Sequence, residues 1–180
     1  MSVAESAERI ALRPIQNYDR EFLYQVYAST REEELAVVAW SDAEKEAFLR
    51  AQFDAQDRYY RAHYDVTGFS IIYLNGEPAG RLYLHRSATE IRIVDIALLP
   101  QYRRRGFGER LLRTLFEEAD AACVGVSIHV EFFNPARRLY ERLGFRSTEE
   151  RGAYLLMRRD PLMQTPPRSA SPPDRAPTAP

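Results

Sequence analysis

The stretch Ile96-Ala-Leu-Leu-Pro-Gln-Tyr-Arg-Arg-Arg-Gly-Phe-Gly-Glu-Arg-Leu-Leu112 decides the reading of this chain. It opens as the end of an apolar strand, turns near Pro100, and enters a helix at two closely spaced glycines. Glycine has no side chain, so an anion can come close to the backbone at positions 106 and 108. The first turn of a helix leaves its amides unpaired, and the helix dipole adds partial positive charge there. Together these features describe a pyrophosphate-binding turn, with Arg103, Arg104 and Arg105 as charged donors beside it. A P-loop fits less well, because no glycine here is followed by lysine. A dinucleotide fingerprint needs a third glycine where Leu111 stands. Taken alone, the same residues also describe a basic surface turn capped by glycine.

Working outward, Glu90 to Leu98 reads as a strand that is apolar on both faces at its centre, which places it inside a sheet. The helix after Gly106 carries Leu111, Leu112, Leu115, Phe116 and Ala119 on one face. Val126 to Phe132 is the next strand, and this strand–helix–strand unit implies one parallel pair. Asn134-Pro135 is an N-cap followed by proline at the first helical position, and Gly144 supplies the left-handed cap. Phe145 to Arg151 and Ala153 to Arg159 form a hairpin around Gly152.

Towards the N-terminus, Asn75-Gly76 between the strands Gly68 to Leu74 and Pro78 to His85 is a hairpin signal, since type I′ turns need positive φ at both central residues. Ser41 and Glu44 make a capping box for a long helix to about His63, with Phe48, Ala51, Ala55, Tyr59 and Ala62 at helical spacing. A strand over Ile10 to Ile15 and a helix from Asp19 to Ala28 come first, and Thr30-Arg-Glu-Glu-Glu follows as a loop or short helix. The fold class is α/β: a mixed, mostly antiparallel sheet of six or seven strands with helices on both faces.

The whole chain fits one domain of residues 1–160 and a disordered tail of residues 161–180. The tail is rich in Pro, Ser and Ala and cannot bury enough apolar surface to offset its ordering entropy. Lys+Arg is 25 and Asp+Glu is 26, a balance that argues against a nucleic-acid-coating protein. No run approaches a membrane span, and no signal peptide is evident, so a cytoplasmic location is expected. Cys123, the one cysteine, cannot build a disulfide or a zinc site, and its neighbours suggest a packing role. No metal is expected.

Asn134-Pro-Ala-Arg-Arg-Leu-Tyr-Glu-Arg-Leu-Gly-Phe145 lies one strand beyond the glycine turn. The two segments resemble the paired acetyl-CoA motifs of the GNAT (GCN5-related) N-acetyltransferase superfamily. The resemblance covers Glu90 to Arg159 well and extends to the N-terminus by element order alone. It implies that Ile96, Ala97 and Leu98 offer main-chain groups to the pantetheine arm in a V-shaped gap between two splayed strands. It implies that Arg103, Arg104, Arg105, Gly106, Phe107 and Gly108 hold the pyrophosphate, with Glu109 at the edge of the set. Asn134 would bond near the pantetheine or serve as a plain N-cap. Tyr140 would protonate the leaving thiolate, a task suited to a phenol that stays protonated at pH 7.

The acceptor amine must lose a proton before it attacks. Some members of the family use a glutamate on the strand that ends in the cofactor contacts, and the matching position here is Arg92, a departure. Glu90, two residues earlier on the same face, is a candidate base; so are Asp95, on the other parity, and His129 and Glu131, at matching parity on the strand across the gap. Glu32-Glu33-Glu34, Trp40, Tyr59, Tyr60 and Tyr64 are candidates for the acceptor side, or else surface and core residues.

The expected activity is direct acetyl transfer from acetyl-CoA, as co-substrate, to a primary amine of a small molecule or protein. The alternative is a catalytically silent acyl-CoA-binding sensor or scaffold. Neither nucleic acid nor membrane is an expected partner. A homodimer is left open, because the C-terminal hairpin could pair between subunits.

Overall fold

The computed structural model describes residues 8–162. The expected tail beyond Leu162 lies outside the described residues. Among those described, seven strands form one sheet in the order β1-β2-β3-β4-β5-β7-β6. The strands are β1 (Ile10–Pro14), β2 (Phe69–Leu74), β3 (Glu77–Arg86), β4 (Glu90–Leu98), β5 (Gly125–Glu131), β6 (Arg146–Arg151) and β7 (Tyr154–Arg159). The helices are α1 (Arg20–Ser29), α2 (Glu32–Ala36), α3 (Asp42–His63), α4 (Phe107–Ala121) and α5 (Arg137–Arg142). β4 and β5 run parallel. Every other neighbouring pair is antiparallel.

Local chemistry accounts for most boundaries. Asn75 and Gly76 both take positive φ, 53° and 90°, so the β2–β3 turn closes as expected. Ser41 and Glu44 cap α3 reciprocally: Ser41 N donates to Glu44 Oε2 at 2.8 Å, and Glu44 N donates to Ser41 Oγ at 3.3 Å. Asp19 precedes α1 but makes no cap bond. Its carboxylate instead accepts both Arg13 guanidinium nitrogens, at 2.6 and 3.0 Å.

The core has two parts. Leu111, Leu112, Leu115, Phe116 and Ala119 of α4 pack on Ile91, Ile93, Val126 and Ile128, with Tyr140, Leu143 and Phe145 from around α5. On the other face, α1 and α3 cover Phe69, Ile71 and Tyr83.

Three sequence expectations are corrected here. The inward stripe of α3 is Leu49, Phe53, Tyr60 and Tyr64, not the Phe48–Ala51–Ala55–Tyr59 row. Phe48 and Tyr59 are exposed, because alanine carries too little apolar surface to orient a helix. Cys123 is exposed and sits at φ 55° in the α4–β5 turn, so it is not a packing residue. Most consequential is a bulge in β4. Tyr83 faces Asp95 while Leu84 faces Ile93, so Val94 is an extra residue with no partner in β3. A bulge shifts the alternation by one. Asp95 therefore shares a face with Glu90 and Arg92, contrary to its expected parity.

Candidate active site

β4 and β5 pair from Glu90–Gly125 to Ile93–Ile128 and then part. Beyond that point β4 continues to Leu98 beside β3, while β5 continues to Glu131 beside β7. The V-shaped gap is the consequence. Gly80 lets β3 hold the outer end of β4 close, since a Cβ there would sit 2.2 Å from Ala97 O. Leu99 N donates to Ala79 O at 2.8 Å. Antiparallel strands alternate inward and outward main-chain groups, so Ala97 also turns to β3, and Ile96 and Leu98 turn to the gap.

At the open end of β4 the chain makes a turn with two left-handed residues, Arg104 at φ 58° and Gly106 at φ 82°. Gly106 is the N-cap of α4, and the first helical bond runs from Arg110 N to Gly106 O at 3.0 Å. Among the described residues, the amides of residues 104–109 donate to no main-chain acceptor. They form the cluster of free N–H groups expected of an anion site. A Cβ on Gly106 would meet nothing within 4 Å, and one on Gly108 would meet Leu139 Cδ2 at 3.9 Å. Phe107 is buried in the core and anchors the turn. Glu109 pairs with Arg113 and Arg142, at 2.8 and 2.9 Å.

The three arginines are not equivalent. Arg103 reaches inward: its Nε donates to Leu98 O at 2.7 Å, and its Nη2 donates to Ser29 O at 3.0 Å and Ser29 Oγ at 2.8 Å. Arg105 pairs with Glu8 at 2.6 Å. Arg104 is exposed and has no partner among the described residues.

On the far wall, Asn134 Oδ1 accepts Ala136 N at 2.9 Å, and its carbonyl accepts Arg137 N at 3.0 Å, which starts the turn leading to α5. The helix itself begins later than Asn134-Pro135 suggests. Tyr140 is 4% exposed and rests edge-on against Phe145, with ring centroids 5.6 Å apart. Burial, and then the charge of Asp95, push its phenol above the ordinary tyrosine range.

Glu90 stands at the closed end, opposite Gly125. Its carboxylate is taken by Arg92 at 3.2 Å and Arg158 at 3.7 Å. The carboxylate at the opening is Asp95, which the Val94 bulge turns to the α1–α3 side. Its Oδ2 accepts Arg81 Nη2 at 2.7 Å and Tyr60 OH at 3.4 Å. Gln56 of α3 accepts Arg81 Nη2 at 2.9 Å. Pattern reading put Asp95 on the wrong face because a bulge leaves no mark in the residues that form it, and missed Arg81 because a buried arginine looks like a surface one. His129 lies on the β5 lip, 3.5 Å from Arg92, and burial followed by Arg92 and Arg151 lowers its pKa. Glu131 meets Arg31 and Tyr154, each at 3.5 Å. Trp40 packs on Phe48 at the exposed side of α3, away from this cluster.

Among the described residues, no group of three His, Cys, Asp or Glu is placed to hold a metal ion. No helix among them is long and apolar enough to cross a membrane.

The acetyltransferase (GNAT) family model matches residues 21–145. No curated protein matches the chain. Among solved structures, the PaiA N-acetyltransferase of Thermoplasma acidophilum, in complex with coenzyme A, superposes with a TM-score of 0.63 at 18% identity, over 84% of this chain and 99% of that one. The ribosomal-protein-S18-alanine N-acetyltransferase of Escherichia coli gives 0.60 at 20% identity, over 88% and 97%. Arabidopsis thaliana Naa50, solved with the bisubstrate analogue CoA-Ac-MVNAL, gives 0.54 at 15%, over 84% and 98%.

Proposed function

The chain belongs to the GNAT acetyltransferase family, and we propose that it moves the acetyl group of acetyl-CoA directly to a primary amine. The observation that carries this reading is the gap between Val94–Leu98 and His129–Glu131, with a cradle of free amides at residues 104–109 at one end. The pyrophosphate lies on those amides, with Arg104 and, once it leaves Glu8, Arg105 as charged donors. The pantetheine arm lies in the gap as an added strand, bonded by the main chain of Ile96 and the Leu98 N–H. Asn134 closes the opposite wall. These groups fit the ligand: the amides of residues 104–109 have no main-chain partner among the described residues, and a Cβ on Gly106 would meet nothing within 4 Å.

The chemistry follows from Asp95 and Tyr140, whose charge and phenol influence each other. A primary amine is protonated at neutral pH and must shed a proton to attack the thioester carbon. Asp95, held from behind by Arg81, orients the ammonium and takes up that proton. The new C–N bond forms, the C–S bond breaks, Tyr140 gives its phenolic proton to the departing sulfur, and the second proton shed by the nitrogen restores the Tyr140 phenol. Its raised pKa keeps that proton in place until the sulfur needs it. Among the described residues the one cysteine, Cys123, is at the far end of α4, away from the glycine turn. The acceptor enters from the α1–α3 side, where Arg31, Glu131 and Tyr154 form the rim.

Calorimetry with coenzyme A, followed by thiol release from acetyl-CoA over a panel of amines, tests the proposal. Binding without thiol release from any amine would instead favour a silent acyl-CoA sensor. Absence of binding would remove both readings.

A further inference from the structure

We infer that Arg103 is a positioning residue that ties the donor side of the gap to its acceptor wall, rather than a phosphate ligand. The inference rests on the acetyl-CoA reading above and deepens it. The Arg103 guanidinium is already engaged on two elements: Leu98 O at the end of β4, and both oxygens of Ser29 at the end of α1. A planar fork of N–H donors suits such bridging, which the single ammonium of lysine does not reproduce.

Ser29 is buried, and its hydroxyl donates to Val26 O at 2.8 Å while accepting from Arg103. The last turn of α1 is thereby fixed to the arginine. Two residues further, Arg31 reaches Glu131 on β5 at 3.5 Å. The path Leu98–Arg103–Ser29–Arg31–Glu131 runs from one lip of the gap to the other around the acceptor side. Leu98 is also a residue whose main chain faces the pantetheine arm. A ligand that fixes Leu98 therefore fixes the start of the acceptor wall as well. As a phosphate ligand, Arg103 could offer only its Nη1 without releasing these bonds, while Arg104 lies exposed on the same turn with none to lose.

Hydrogen exchange of the full chain, with coenzyme A as the probe, tests this. In the wild type, coenzyme A should slow amide exchange over residues 29–36. Arg103→Met should bind coenzyme A within about threefold of wild type and no longer transmit that protection, since a lost charged contact to phosphate would itself cost about tenfold or more. Ser29→Ala, remote from the phosphate turn, should weaken the protection in the same direction with the fold intact. A tenfold or greater loss of coenzyme A affinity in Arg103→Met, or protection that persists in it, overturns the inference while leaving the acetyl-CoA reading in place. If the wild type fails to bind coenzyme A, the acetyl-CoA reading is what fails. The strut then stands or falls on ligand-free exchange over residues 29–36, faster in Arg103→Met if it exists and unchanged if it does not.

Discussion

Arg81 Nη2 lies 2.7 Å from Asp95 Oδ2, and the arginine side chain is only 3% exposed while the aspartate side chain is 14% exposed. The pair spans neighbouring strands under α3, so the carboxylate at the mouth of the gap is held by a charge that water barely reaches. Removing one partner of such a pair leaves an uncompensated buried charge. Arg81→Met should therefore destabilise the protein by about 3–5 kcal/mol. The double variant Arg81→Met with Asp95→Leu should recover much of that loss. Urea unfolding of the two variants measures the difference; equal losses would mean that the charges do not interact.

Tyr140→Phe should lower kcat by about 10²–10⁴-fold, the usual worth of a proton donor. Coenzyme A affinity and thermal stability should hardly change, because the ring and its contact with Phe145 remain. Steady-state rates beside calorimetry separate these effects, and an unchanged kcat removes Tyr140 from the mechanism.

The same residue sets a pH dependence. Burial and the Asp95 charge raise the Tyr140 pKa, so its protonated form extends above the ordinary tyrosine value of about 10. The kcat profile should therefore show no decline from loss of this proton between about pH 7 and pH 10. A descending limb in that window that vanishes in Tyr140→Phe would contradict the assignment.

The two glycines of the turn should fail for different reasons. Gly106 has free space around it but φ 82°, so Gly106→Ala should cost about 1–2 kcal/mol of stability through strain alone. In Gly108→Val the backbone is helical, and the new Cβ finds ordinary contact with Leu139. That variant should fold normally and bind coenzyme A more weakly, because its side chain stands over the free amides. Thermal melts and calorimetry on both variants check the contrast.

Asp120 accepts both guanidinium nitrogens of Arg159, each at 2.9 Å, and this bonding lowers its pKa. A carboxylate with a depressed folded pKa stabilises the fold fully above its unfolded value of about 3.9. The contribution disappears as pH falls through the folded pKa. Asp120→Asn should lower the melting temperature at pH 7, and the gap to wild type should close as both are titrated to about pH 2. Melts across that range measure it; a constant gap would place the effect outside this ion pair.

What the chain decides by itself is what neighbours in sequence decide. Asn75-Gly76, the Ser41–Glu44 box, the apolar stripe of α4 and the glycine at 106 each act over a few residues, and each element they announce is present. Two segments within residues 96–145 were enough for the family, because a free helix terminus after a buried strand needs those residue types in that order. Tertiary structure decided the rest. The last strand, β7, inserts between β5 and β6, which no hairpin signal specifies. Val94 becomes a bulge only because β3 offers it no partner, and that slip carries Asp95 to the face where Glu90 was expected to act. Arg103 points inward because the end of α1 lies beside it, 74 residues away in sequence. Strand register and long-range ion pairs depend on which segments meet, and local sequence does not encode the meeting.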